Sequence, residues 1–194
     1  MQFHLGFAYL WRGDLDAAEE QLHFALAEEE RTGNVAKQNL CFTYLATLYR
    51  KRGWVKEARD YASRALKVAT AMKLPAYIAM ATANLAWVAW REGKNAEAER
   101  KGKAALELWQ SSEMVYPFQW AALWPLVDIM LGQDELSQAV NYASLLFAPG
   151  QQLLPDALTA VTESAIQAWG SSQSETTRTS LQQAIRLAQE MGYL

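Results

Sequence analysis

The chain has 194 residues, 51% of them hydrophobic and 20% charged, enough apolar material for a sizeable buried core. Its net charge of −3 offers no basic excess to recruit nucleic acid, and a single cysteine, Cys41, excludes an internal disulfide. Two histidines, His4 and His23, form no metal-spaced pair.

Three near-copies of one pattern follow one another at 40-residue steps: Gly13-Asp-Leu15-Asp-Ala-Ala18, Gly53-Trp-Val55-Lys-Glu-Ala58 and Gly93-Lys-Asn95-Ala-Glu-Ala98. A fourth, Asp134-Glu-Leu136-Ser-Gln-Ala139, comes 41 residues later with Asp for Gly. Periods of this size mark stacked helical hairpins, whose core exists because neighbouring units touch.

In chain order, the three-and-four apolar spacing predicts helices over 2–12, 14–31, 35–52, 55–72, 76–92, 95–110, 117–131, 134–147, 155–169 and 177–191. Gly33-Asn34, Pro75, Ser111-Ser112, Pro117, Pro149-Gly150, Pro155 and Gly170-Ser-Ser fall between helices or in a first turn. Pro125 falls inside the seventh helix and should kink it or displace its start. Gly13, Gly53 and Gly93, with Asp134 in their place in the fourth copy, stand where the first helix of each hairpin ends, a position that favours a left-handed backbone. Gly6, Ala46 and Ala86, facing Ala18, Ala58 and Ala98, remove bulk where paired helices approach. The units expected are residues 1–33, 34–74, 75–113, 114–150 and a degenerate 151–194, one continuous array.

The order Leu-Gly-x-x-Tyr, Ala, then Ala-Leu, seen best in Leu5-Gly6-Phe-Ala-Tyr9 with Ala18 and Ala25-Leu26, resembles the tetratricopeptide repeat. The expected fold class is therefore all-α, a right-handed α-solenoid of about five antiparallel hairpins. The longer period is similar to the C-terminal arrays of bacterial signalling ATPases, maltose-regulator-type transcriptional activators and ATPase-linked nucleotide cyclases. Pro117-Phe-Gln-Trp-Ala-Ala-Leu-Trp-Pro-Leu126, Phe147 to Pro155 and Arg186 to Leu194 look like the closing segments of such arrays. No phosphate-binding Gly-x-x-x-x-Gly-Lys-Ser/Thr segment is present, so no nucleotide chemistry of those relatives transfers. The resemblance implies the C-terminal part of a longer regulatory protein.

Function is expected in binding, with no catalytic residue, metal or cofactor. Cys41 reads as a small packed side chain, His23 as a helix-edge residue, and Glu19-Glu20 and Glu28-Glu29-Glu30 as solvated faces. Arg50-Lys51-Arg52 closes the third helix, where positive charge suits the end of the helix dipole. In an array of this kind the first helices of successive hairpins line the concave face, which in register presents Thr47, Arg50, Asn84, Trp87, Trp90, Arg91, Trp124 and Asp128 to a partner. Gln119 lies near that set.

The partner expected is a protein or peptide, or other domains of a longer parent. A small-molecule inducer settling among Asn84, Gln119, Arg91 and Asp128 is the alternative. Phe3-His-Leu-Gly-Phe-Ala-Tyr-Leu-Trp11 is apolar almost all round, so upstream repeats or a second copy should cover it. The longest uncharged stretch, Leu136 to Pro155, is broken by polar residues, Pro149 and Gly150, and the N-terminus shows no export signal; neither nucleic acid nor a membrane is the expected partner, and the expected location is cytoplasmic.

Overall fold

The computed structural model describes residues 2–111 and 115–194. The expected boundary between the third and fourth units, at 113 and 114, and Ser112 of the breaker pair lie outside the described residues. The described residues form ten α-helices and no strand: α1 (Gln2–Arg12), α2 (Leu15–Thr32), α3 (Val35–Lys51), α4 (Val55–Ala71), α5 (Pro75–Arg91), α6 (Asn95–Gln110), α7 (Trp120–Gly132), α8 (Leu136–Leu145), α9 (Asp156–Gly170) and α10 (Ser174–Glu190). Pro125 remains inside α7, whose start lies at Trp120 and not at Pro117.

The repeat is visible in the hydrogen bonds that end the odd helices. The amide of Asp14 donates to the Tyr9 carbonyl, Trp54 to Tyr49, Lys94 to Ala89 and Glu135 to Met130, at 2.9–3.0 Å. This six-to-one closure requires a left-handed residue between helix and loop. Gly13, Gly53 and Gly93 provide it at φ of 84°, 74° and 73°, and Asp134 adopts it at 66°. Asp14 and Asn34 cap the following helices by accepting from the amides of Ala17 and Lys37.

Each helix packs on its neighbour in sequence, and α1, α3, α5 and α7 also touch in succession, forming one layer. Polar links between successive hairpins recur in the same register. Arg52 reaches Glu19 at 2.5 Å, Arg59 pairs with Glu92, and the Gln133 amide donates to Glu99 at 3.3 Å. Each pair lies 40 or 41 residues beyond the last, and the charges are reversed between the first two. Tyr49 strengthens the first link, donating from its hydroxyl to Glu19 at 2.5 Å and lying 3.0 Å from Nε2 of His23. Burial raises the Glu19 carboxyl, but the bonds from Tyr49 and Arg52 outweigh it and hold the group below its ordinary range.

Ala18, Ala46, Ala58, Ala86 and Ala98 are fully buried, as close helix approach demands. A Cβ built on Gly6 would stand 2.8 Å from Leu22 Cγ and 3.1 Å from its backbone nitrogen. Gly6→Val should therefore destabilise the fold by about 1–3 kcal/mol, measured as a lower urea midpoint with unchanged slope.

Order in the layer changes after α7. Its next partner outside its own hairpin is α10, not α9, because the α9–α10 hairpin turns back toward the front of the chain. The segment between α8 and α9 is laced to the start of α7: the Gln152 amide donates to the Pro117 carbonyl at 2.9 Å, and Gln152 Oε1 accepts from the Trp120 indole at 2.9 Å.

Candidate functional site

The inner face is built by the last turn of α3, the facing side of α5, the start of α7 and residues Gly192 to Leu194. Thr47, Arg50, Asn84, Trp87 and Trp124 are all buried, contrary to the exposure expected of a partner face. The reason is the return of the chain. α7 covers the α5 indoles, and the segment after α10 covers the end of α3. Trp90 and Asp128 stay half-buried at the rim, and Arg91 is exposed.

Arg50 is the centre of this arrangement. Its guanidinium donates to the Ala121 carbonyl at 2.7 Å and to the Tyr193 carbonyl at 2.8 Å, and lies 5.0 Å and 5.7 Å from the ring centres of Trp120 and Trp87. The first bond has a local cause in the sequence. An α-helical carbonyl accepts from the N–H four residues on, and four residues after Ala121 stands Pro125, which has none. Arg50 supplies the donor that the proline withholds.

Lys51 sits beside it in an aromatic enclosure, its ammonium 4.2 Å from the Tyr193 ring centre, 5.4 Å from Trp120 and 5.8 Å from Trp11. Burial, with the adjacent Arg50 charge, lowers the Lys51 ammonium to about 8, and burial lowers Arg50 to about 9. No carboxylate lies within ion-pair distance of either among the described residues, so the rings and carbonyls carry these charges.

The depressed value of Lys51 has a stability consequence with a definite sign. Between about pH 8 and 10 the unfolded chain keeps that proton while the folded chain has released it, so stability rises with pH. Above pH 10 the hydroxyls of Tyr44 and Tyr49, both raised well above their ordinary value by burial, hold protons that the unfolded chain loses, and stability falls. Arg50, lowered to about 9, adds a rise of the same sign above that pH, so chemical denaturation across pH 7–11 should show stability rising from pH 8, with about 1–2 kcal/mol of the rise removed by Lys51→Met.

The remaining expected residues divide in two. The Trp90 indole donates to Asp128 at 2.6 Å, while burial raises the Asp128 carboxyl above its usual range against that bond. The Asn84 amide donates to Thr47 at 3.4 Å, but Asn84 Oδ1, Arg50 Nε and the indole nitrogens of Trp87 and Trp124 are buried without a partner among the described residues. The Gln119 main-chain N–H donates to Gln151 Oε1 at 3.2 Å. Arg91 lies over Trp87 at 5.2 Å and has no carboxylate partner among the described residues. Beside it a cavity of about 320 Å³ is bounded by Trp90, Arg91, Gln189 and Leu194.

The sequence pattern places Lys51 only as a charge closing α3, and it offers Trp120, Gly192 and Tyr193 no role at this face. One local signal pointed there: Pro125 announces an orphan carbonyl at Ala121, which requires a donor from elsewhere.

A second cavity, about 520 Å³, opens between Phe3, His4, Phe24, Glu28, Lys37 and Leu40. Phe24, at the edge of this cavity, is 53% exposed. Part of the apolar face of α1 finds its cover within the chain: Phe118 stacks on Trp11 at 4.6 Å and meets Phe7 at 6.3 Å, while Leu5 remains exposed.

Cys41 is fully buried, with its thiol pushed up to about 12 by burial. Among the described residues no three His, Cys, Asp or Glu side chains converge, and no helix is long and apolar enough to cross a membrane. Fold and site together define an all-helical protein of packed hairpins that holds a chain segment on its inner face. No family model matches this chain, and no curated protein matches it.

Proposed function

We propose that the chain is a non-catalytic protein-interaction module, a right-handed tetratricopeptide-like array of about five hairpins serving as the C-terminal part of a bacterial signalling or regulatory protein. One observation carries this reading. The inner face holds main chain of the protein itself, with Arg50 donating to the Tyr193 carbonyl while Lys51 and Trp120 enclose its ring, and this supports the reading. Buried aromatic and arginine anchors of this kind dominate protein interfaces. Trp90, Arg91 and Asp128 form the accessible rim at which a partner segment makes contact.

The alternative, an inducer-sensing domain, draws support from the cavity beside Arg91 and Trp90, where a guanidinium and an indole meet in a small enclosure. Affinity capture paired with thermal-shift screening separates the two. A protein retained by the wild type and lost with Arg91→Glu, whose melting is unchanged, supports the interaction module. A metabolite that raises the melting temperature, with no protein retained, supports the sensor and overturns the first reading.

A further inference from the structure

We infer that Lys51 is a site of covalent acylation, its side-chain amine taking a small acyl group from an activated donor of the acyl phosphate class. The modification is independent of the interaction reading.

The fold treats one lysine unlike the others. Lys37, Lys94, Lys101 and Lys103 each pair with a glutamate, at 3.4, 3.1, 3.4 and 2.6 Å, which favours the protonated amine. Lys56, Lys67 and Lys73 are exposed, and water hydrates their charge. Lys51 has neither support. Among the described residues its ammonium faces three rings, those of Tyr193, Trp120 and Trp11, delivered by the segment after α10, by the start of α7 and by α1.

A second cation adds to this. The Arg50 guanidinium lies 5.0 Å from the Trp120 ring centre and the Lys51 ammonium 5.4 Å from it, so two positive charges share one indole with no carboxylate in ion-pair contact with either. The lysine gives way first, its ammonium lowered to about 8 against about 9 for the guanidinium. A desolvated lysine beside another cation is the arrangement that makes an amine nucleophilic near neutral pH. At pH 7.5 about a quarter of the Lys51 amines are neutral, against about one in a thousand for an ordinary lysine.

The amine is also within reach of a small reagent. Lys51 is only partly covered, whereas Arg50 beside it is 1% exposed. The lone pair of the neutral amine attacks the carbonyl carbon of the acyl phosphate. The bond from that carbon to the bridging oxygen breaks, its electron pair leaves with phosphate, and the amine proton passes to water. The amide that forms is neutral, so the enclosure is relieved of a charge that no carboxylate balances, and Arg50 loses its like-charged neighbour.

The test treats the full chain with acetyl phosphate at pH 7.5 to low extent and follows each lysine by peptide mass spectrometry. Lys51 should acetylate at least ten times faster than the median of Lys56, Lys67 and Lys73. The gain is smaller than the ratio of neutral amines because a less basic amine is a weaker nucleophile and the rings narrow the approach. Between pH 7 and 9 the rate should rise about tenfold at Lys51 and about a hundredfold at the exposed lysines, since Lys51 passes its midpoint within that range. In concentrated urea the preference should vanish. A Lys51 rate in the folded protein no higher than that of the exposed lysines overturns the inference. So does a preference that survives in urea, because its cause would then lie in the neighbouring sequence and not in the ring enclosure.

Discussion

Arg50→Ala should lower the unfolding free energy by about 2–4 kcal/mol, read as a shift of the urea midpoint. Two carbonyls, at Ala121 and Tyr193, lose donors from a charged group, and each such bond contributes about 1.5–3 kcal/mol. The side chain also leaves a void beneath Trp87 and Trp120. Opposing this, the mutation removes a cation that is buried with no carboxylate beside it among the described residues, and relief of its desolvation offsets part of the loss. Arg50→Met separates the terms, because it keeps volume and removes charge, and its cost should fall to about 1–2 kcal/mol.

A double-mutant cycle with Pro125→Ala tests the proposed cause directly. With an N–H restored at position 125, the Ala121 carbonyl regains a helical donor and Arg50→Ala should cost about 1 kcal/mol less than in the wild type. Additive effects would show that the proline and the arginine are not linked.

Trp87→Ala should cost about 3–5 kcal/mol, the range for emptying a fully buried aromatic site. Trp87→Phe should cost much less than a truncation, about 1 kcal/mol, because the indole N–H it removes is buried without an acceptor. At Trp90 the balance differs. Trp90→Phe deletes a 2.6 Å bond to the half-buried Asp128 and should cost about 1–2 kcal/mol at neutral pH. Thermal melts of the four proteins in one buffer give the ordering, and a Trp87→Phe loss as large as that of Trp87→Ala would contradict the assigned packing.

The extent to which the inner face was legible follows from how far apart its parts lie in the chain. Trp87, Trp124 and Arg50 were recognised as sharing a face because the 40-residue register places them on successive odd helices. That face was expected to be open, since a solenoid with ordinary translational order leaves it so. Burial comes with two contacts whose donor no local pattern names, although Pro125 marks one of the acceptors. One joins Arg50 to Ala121 across 71 positions, and the other joins it to Tyr193 across 143. Lys51 was read correctly as one of three charges closing α3. Its aromatic enclosure depends on Trp11, Trp120 and Tyr193 arriving from three separate segments.

Sequence by itself determined the helices, their order and their closures, because each depends on residues within a few turns of one another. The 3.6-residue apolar period sets the helices, a left-handed Gly or Asp ends α1, α3, α5 and α7, and small residues set how closely a pair approaches. The tertiary structure alone decided what the inner face meets. The α9–α10 hairpin turns back on α7, and Gly192 to Leu194 are carried to the end of α3, because burying the aromatic rows there is a property of the whole surface and not of any one repeat.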